Sequence, residues 1–129
     1  MEIGQKVIAY HKTGKYVGKV TEVHEDHYVV RVLAVLKHPI QGNLHHPRQV
    51  DVPYFHERKA KAFREQTNIP KNMVRTYEGD IPNYTDSLKK AVKQLLTELA
   101  KEDTSFNKKS IECLRNLQRD YELMYDIKF

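Results

Sequence analysis

Apolar residues are densest between Tyr28 and Leu36, where Tyr-Val-Val-Arg-Val-Leu-Ala-Val-Leu carries a single charge, Arg31. Alternation puts Tyr28, Val30, Val32, Ala34 and Leu36 on one face of a strand and Val29, Leu33 and Val35 on the other. A strand apolar on both faces has to be covered on both, which marks it as the centre of a sheet. Ahead of it, Ile3 to Tyr10 and Tyr16 to Val23 read as two more strands, joined by a turn over His11 to Lys15 that contains Thr13-Gly14. His24 to His27 is a polar turn. The segment His38 to Pro47 holds Pro39, Pro47 and the pair Gly42-Asn43, the composition of a surface loop, and Gln49 to Val52 suits a short closing strand. Short strands and tight turns over residues 1–52 predict a small SH3-like β-barrel.

Beyond residue 52 the period lengthens. Pro53 suits a first helical turn with Asp51 as its cap, and the spacing of Phe55, Ala62 and Phe63 predicts a helix running to Gln66, stopped by Asn68 and Pro70. Its basic residues Arg58, Lys61 and Arg64 are interleaved with Glu57 and Glu65, as on a solvated, ion-paired face. Ile69 to Asn83, with Pro70, Gly79 and Pro82, reads as a surface connector with one short turn around Met73 to Tyr77. Two longer helices follow, about Tyr84 to Lys101 and about Lys108 to Asp126. The first gathers Leu88, Ala91, Val92, Leu95, Leu96 and Leu99 into an arc of about 140°, the second Ile111, Leu114, Leu117, Tyr121, Met124 and Tyr125 into one of about 160°, with Leu123 off the stripe. The polar turn Asp103 to Ser105 makes the pair antiparallel.

The pattern therefore predicts an α+β fold, with a barrel over 1–52 and a helical region over 53–129 packed on it as one compact unit. One edge of the helical stripes is expected against the outer side of the central strand, at Val29, Leu33 and Val35. Stripes this wide also leave the pairing of two copies through their helices open.

The 129-residue chain carries 22 basic and 17 acidic residues, a formal charge of +5. Residues 1–68 hold 11 basic and 7 acidic side chains and the rest 11 and 10, so the surplus sits in the β half. A pI near 9.2 permits a nucleic-acid or anionic-lipid partner, but a field this modest equally serves solubility. A single cysteine, Cys113, excludes an internal disulfide and fits a reducing compartment. The first ten residues lack the basic and apolar regions of a signal peptide, and no apolar run approaches the roughly 18 residues of a membrane span. These features predict a soluble, cytoplasmic protein.

Catalytic chemistry has little to stand on. His38, His45, His46 and His56 fall close together, but their spacing matches no zinc motif and no cysteine accompanies them. Cys113 lies at the edge of an apolar helical arc, where a thiol behaves as a small hydrophobe, and Ser105 and Ser110 sit where serine caps a helix. Glu25-Asp26 and Glu102-Asp103 fall in polar turns with nothing to raise a pKa. No glycine-rich phosphate loop or nucleophile elbow is present. The expectation is a protein that is not an enzyme and needs no metal or cofactor.

Two binding classes remain. The stretch from Gly4 to Tyr10 followed by Thr13 to Val20 resembles the start of KOW-type SH3-like modules. There Lys6, Lys12, Lys15 and Lys19, interleaved with Tyr10 and Tyr16, could pair phosphates and stack bases. Such glycine hairpins also build any small barrel. The alternative is a protein partner met by loops held on a rigid barrel. Exposure and composition favour His38, Gln41 and His45 in the long loop and Tyr54 and Phe55 at the following corner.

Long segments of the chain settle the preference: Tyr16-Val-Gly, Leu33-Ala-Val-Leu-Lys-His-Pro-Ile-Gln-Gly-Asn-Leu-His45, Val52-Pro-Tyr-Phe-His-Glu-Arg58, Ala62-Phe-Arg-Glu-Gln-Thr-Asn-Ile-Pro70 and Tyr77-Glu-Gly-Asp-Ile-Pro82. With the two helices, they closely resemble the kinase-associated protein B family of Bacillus and relatives. The resemblance implies a barrel followed by helices. It also implies an accessory role beside a sporulation sensor histidine kinase that feeds a phosphorelay. It brings no catalytic or metal residues. The family is often labelled a lipoprotein, which calls for an N-terminal signal and a cysteine at the lipidation point. With Cys113 deep in the last helix, membrane contact is expected only through a partner.

Overall fold

The computed structural model describes residues 1–43, 48–50 and 55–129. Five strands, β1 (Lys6–His11), β2 (Gly14–Val23), β3 (His27–Lys37), β4 (Gln66–Pro70) and β5 (Val74–Thr76), precede two helices, α1 (Tyr84–Leu99) and α2 (Ser105–Tyr125). All strand pairs are antiparallel, in the order β4-β3-β2-β1-β5.

The connection between β4 and β5 dictates the shape. They occupy opposite edges of the sheet, yet only a 3₁₀ turn, Lys71–Met73, separates them. In a flat sheet four strand spacings would put them roughly 19 Å apart, whereas three 3₁₀ residues rise only about 2 Å each. The sheet must therefore roll. One buried cluster fills the roll and draws on every strand: Val7 and Ala9, Val20, Tyr28 and Val30, Ile69, and Val74. The two edges are not hydrogen-bonded to each other, so the barrel is an open one, and the class is α+β.

Several expectations need correction. The helix expected from Pro53 to Gln66 is absent: residues 55–65 are neither helix nor strand, and Asp51 and Pro53 lie outside the described residues. The supposed connector after Ile69 is part of the sheet, and Ile69 is buried. The sheet thus takes two strands from beyond residue 52. Pro70 is tolerated because β4 is an edge strand and ends there. Of the expected closing strand, Gln49 and Val50 are not in a strand, and Asp51 and Val52 lie outside the described residues.

The apolar strand is β3, but β2 holds the centre. Its pairing with β2 skips Leu33 and Leu36, and β2 skips Thr21. Each extra residue reverses the alternation beyond it. Val32 and Val35, which strict alternation sets on opposite faces, consequently both enter the cluster under the helices, beside Tyr16 of β2. The roof rests on Val32 and Val35 rather than on Val29, Leu33 and Val35.

The helical pair matches its sequence stripes. Asn83 caps α1 by accepting the Asp86 N–H, and Thr104 caps α2 by accepting the Asn107 N–H, about one turn before the expected start. Leu88, Val92, Leu114, Leu117 and Tyr121 are buried between the helices and the sheet, while Leu123 is 86% exposed. Met124, placed on the stripe by its spacing, is exposed.

Helix α1 also solves an edge problem. β4 pairs only with His27 to Arg31, so the far half of β3 is paired with β2 on one side and has no strand on the other. There the Val35 N–H donates to Ser87 Oγ at 3.0 Å, and that hydroxyl donates to the Tyr84 carbonyl. Replacing Ser87 by Ala orphans a buried N–H, and we expect the urea midpoint to fall by the equivalent of about 1–3 kcal/mol. Leu88→Ala, which opens a cavity in the same contact, should cost about 2–5 kcal/mol in the same titration.

Candidate functional site

Between the loop that follows β3 and the helix pair, residues 55–62 form an irregular strap, with Ala60 buried. Where a segment without secondary structure is buried, its backbone must still find partners. The Gly42 N–H donates to the His56 carbonyl at 2.9 Å, and side chains supply further partners. The Ala60 N–H donates to Tyr121 Oη at 2.9 Å, the Lys61 N–H donates to Tyr16 Oη at 3.3 Å, and Tyr84 Oη donates to the Lys61 carbonyl. The Ala62 N–H donates to Glu65 Oε1 at 2.9 Å. Gln41 pairs with Arg58 as a neighbouring strand would: its Oε1 accepts the Arg58 N–H at 2.7 Å and its Nε2 donates to the Arg58 carbonyl at 2.9 Å. Arg58 returns the bond through Nη2 to the Gly42 carbonyl at 2.7 Å.

His38 completes the clamp, and its partners fix its tautomer. Nδ1 lies 2.9 Å from the Pro39 carbonyl, which only accepts, so Nδ1 carries the proton. Nε2 is then bare and accepts from Tyr121 Oη at 2.8 Å, whose own lone pairs take the Ala60 N–H. Burial holds the His38 pKa down at about 4, with the Pro39 carbonyl opposing the shift. Burial likewise pushes the Tyr16 phenol up to about 12 and raises Tyr84 and Tyr121.

This geometry relocates the residues that loop composition suggested for partner contact. His38 and Gln41 are 3% and 2% exposed, so they build the clamp and do not present a surface. Phe55 is half-buried and packs on Phe106 with ring centroids 5.8 Å apart. Gly42, at φ +101°, lies between those rings, where a Cβ would come within 3.2 Å of each. His45 and Tyr54 lie outside the described residues.

The clamp instead offers Ile40, 46% exposed and tied through its N–H to Thr13 Oγ1. Beside it runs a groove over Leu95, Leu99 and Phe106, rimmed by the ion pairs Arg48–Glu102 at 3.6 Å and Lys101–Glu98 at 3.3 Å. Ile40 is not among the residues that loop composition selected, although an apolar side chain in a polar loop is a signal that marks it. Leu95, Leu99 and Phe106 were hidden among helix core positions.

The lysines separate into two groups. Register places Lys6 opposite Lys19 and Tyr10 opposite Lys15, so these share the outer face of the sheet. Arg31, Lys37 and Arg75 join them by pairing with Lys19, Lys15 and Ile8. Tyr16 points the other way and is buried, and Lys12 sits in the β1–β2 turn at φ 44°. Strand parity could have shown Lys37 and Arg31, but Arg75 needed β5. Among the described residues no three of His, Cys, Asp and Glu converge to hold a metal. Cys113 is buried, and burial raises its thiol pKa.

A model of the family described as Kinase associated protein B matches residues 11–122, from the end of β1 to the last turns of α2. The chain belongs to the kinase-associated protein B family. It is 48% identical over 120 residues to kinase-associated lipoprotein B of Bacillus subtilis (strain 168), covering 93% of this chain and 94% of that protein. The X-ray crystal structure of kinase-associated protein B from Bacillus cereus aligns with a TM-score of 0.81 at 46% identity, covering 95% of this chain and 98% of that one. The matched span of kinase-associated protein B takes in the strap and all three tyrosines that hold it. No described helix of this family member is long and apolar enough to cross a membrane.

Removing one hydroxyl tests the clamp. Tyr121→Phe deprives the Ala60 N–H and His38 Nε2 of their partner together, and chemical denaturation should show a loss of about 1–3 kcal/mol. The imidazole makes stability depend on pH. Because His38 titrates near 4 when folded and near 6.5 when unfolded, the unfolded chain takes up the extra proton in between. Stability is therefore full above pH 6.5 and declines as pH falls through 4. Between about pH 7.5 and 5 the His38 share of the loss should be about 2 kcal/mol, and His38→Gln should remove that slope while lowering stability at neutral pH.

Proposed function

We propose that this protein is a non-enzymatic accessory of a sporulation sensor histidine kinase, helping the kinase feed a phosphorelay through direct contact with it or its regulators. It works in the cytoplasm and reaches membranes through its partner. The observation that carries the reading is Ile40, held outward on an immobilised loop above an apolar groove whose rim charges are already paired. An apolar residue fixed on a rigid support, with a rim that keeps out water, is how protein contacts concentrate their binding energy. The relatives are named for association with a kinase.

The buried ionisable groups support a role by contact. Tyr16, Tyr84 and Tyr121 bond to the strap and His38 bonds to Tyr121 and the Pro39 carbonyl, so these buried groups serve to hold the loop and strap together. The partner's surface would involve Phe55 at the strap's entrance, with His45 and Tyr54 of the adjoining segments.

Capture on immobilised protein, with crosslinking and identification of the kinase by mass spectrometry in sporulating cells, should recover a sensor histidine kinase or its regulator. Ile40→Ser should lower that recovery about tenfold while leaving the melting temperature within a few degrees, since the residue is half-exposed. Equal recovery by wild type and variant, or recovery of no kinase component, would remove this reading.

A further inference from the structure

We propose a second binding activity, for single-stranded nucleic acid, on a band of unpaired cations that runs from the outer face of the sheet across α1 into the groove between the helices. The band starts at Tyr10. The Arg75 guanidinium and Lys15 Nζ lie 5.8 and 5.7 Å from its ring centroid, and Lys15 is cross-strand to Lys37. Lys37 then shares a depression with Lys90 and Lys93 of α1. Lys93 also lines the next depression, with Lys89, Arg115 and Lys128 around a floor of Leu96, Ala100 and Phe129.

Ion pairing sets the cations of this band apart from six others, and what marks the band among the remaining unpaired ones is that its members adjoin one another. Among the described residues, the Lys and Arg side chains in ion pairs are Arg48, Lys59, Lys61, Lys101, Lys108 and Lys109. Among the described residues, none of the band's cations has a carboxylate within 4.0 Å. Glu98, the carboxylate that lines the first depression, is held by Lys101. A solvated surface in a chain with 17 acidic residues would mix the two signs. Here like charges stand together and repel, a cost that a bound polyanion relieves.

The path selects the polyanion. A bilayer is planar, whereas this band turns from a sheet face onto a helix and lies in depressions, a course that a linear polymer can follow. An acidic peptide is also linear, but it offers Tyr10 no base to stack on. An aromatic ring between two cations suits a base and its flanking phosphates. Three strand spacings of about 4.8 Å and one helix diameter of about 10 Å give a track of roughly 25 Å, enough for a site of at least four nucleotides.

The test is fluorescence anisotropy of the full chain with a labelled oligouridylate of about twelve nucleotides. With about five phosphates neutralised, affinity should fall about a hundredfold between about 50 and 200 mM salt. The pair Lys15→Glu with Lys37→Glu, on the sheet, and the pair Lys93→Glu with Arg115→Glu, on the helices, should each weaken binding at least about tenfold. Lys59→Glu with Lys108→Glu, which changes net charge equally outside the band, should change it less than about twofold. Tyr10→Leu should weaken binding about fivefold or more without altering the salt slope, a signature that a purely structural role would not produce. Circular dichroism melts identify any variant that misfolds, and Lys37→Gln with Lys93→Gln serves in its place.

Absence of binding at low salt overturns the proposal, as does equal weakening by the off-band pair. Binding to vesicles rich in phosphatidylserine that the oligonucleotide cannot displace would assign the band to membrane. Equal affinity for polyglutamate, with no effect of Tyr10→Leu, would assign it to an acidic protein.

Discussion

The rest of the molecule depends on the backbone of the strap finding hydrogen-bond partners. Residues 55–62 pass between barrel and helices without belonging to either, and an unpaired buried N–H or carbonyl costs about 1–3 kcal/mol. Tyr16 comes from β2, Tyr84 from α1 and Tyr121 from α2, so three separate elements must be in place before Ala60 and Lys61 are satisfied. The dependence runs both ways: once formed, those bonds fix the helices against the sheet. Three of the chain's eight tyrosines serve this purpose. A phenol carries an apolar ring through the core and puts a hydroxyl at its far end, where it can both donate and accept.

A second constraint comes from the rolled sheet. The short turn between β4 and β5 closes one side of the roll, but β4 ends early, which leaves half of β3 with an open edge. Exposed edges invite pairing with other chains, and α1 covers this one with a serine hydroxyl in place of a strand. The bulges in β3 make that possible. By slipping the alternation at Leu33, they turn Val35 toward the helices alongside Val32, so one strand contributes to the barrel interior at one end and to the helical interface at the other.

How much of this the sequence disclosed follows the range of the forces involved. α1 and α2 were legible because a 3.6-residue period over four or more turns repeats one local statement many times. β1 to β3 were legible because glycine turns and alternation are also local. β4 and β5 were not: they are five and three residues long, mostly polar on the outside, and their pairing partners lie dozens of residues away. The strap was mistaken for a helix because Phe55, Ala62 and Phe63 fall at helical spacing, while the phenols that hold it are distant in sequence. His38 and Gln41 failed for a related reason. Polar residues in a proline-rich loop predict exposure, but here their side chains replace missing backbone partners, and a side chain can do that only when buried. The basic face was half legible: Lys6, Lys15 and Lys19 share it, whereas Arg75 required the unseen strand.

These constraints also decide what remains for the surface to do. A core held by phenols, an amide and a neutral imidazole has to keep those groups uncharged, since a proton gained by His38 would put a donor against the Tyr121 O–H and cost that hydroxyl its acceptor. These four buried groups are thus committed to structure. What the exterior offers is shape and charge. The charge is arranged unevenly: the rim of the Ile40 groove is neutralised by its own ion pairs, while the cations over β2, β3 and α1 have no carboxylate partner among the described residues. A neutral rim around an apolar floor favours a partner that excludes water, because no desolvated charge is left uncompensated there. A run of uncompensated cations favours the opposite kind of partner, one that brings its own charge and leaves water in place. The two surfaces meet at Thr13 and Ile40, where the loop clamped by Gln41 adjoins α1, so one immobilised stretch of backbone sets the geometry of both.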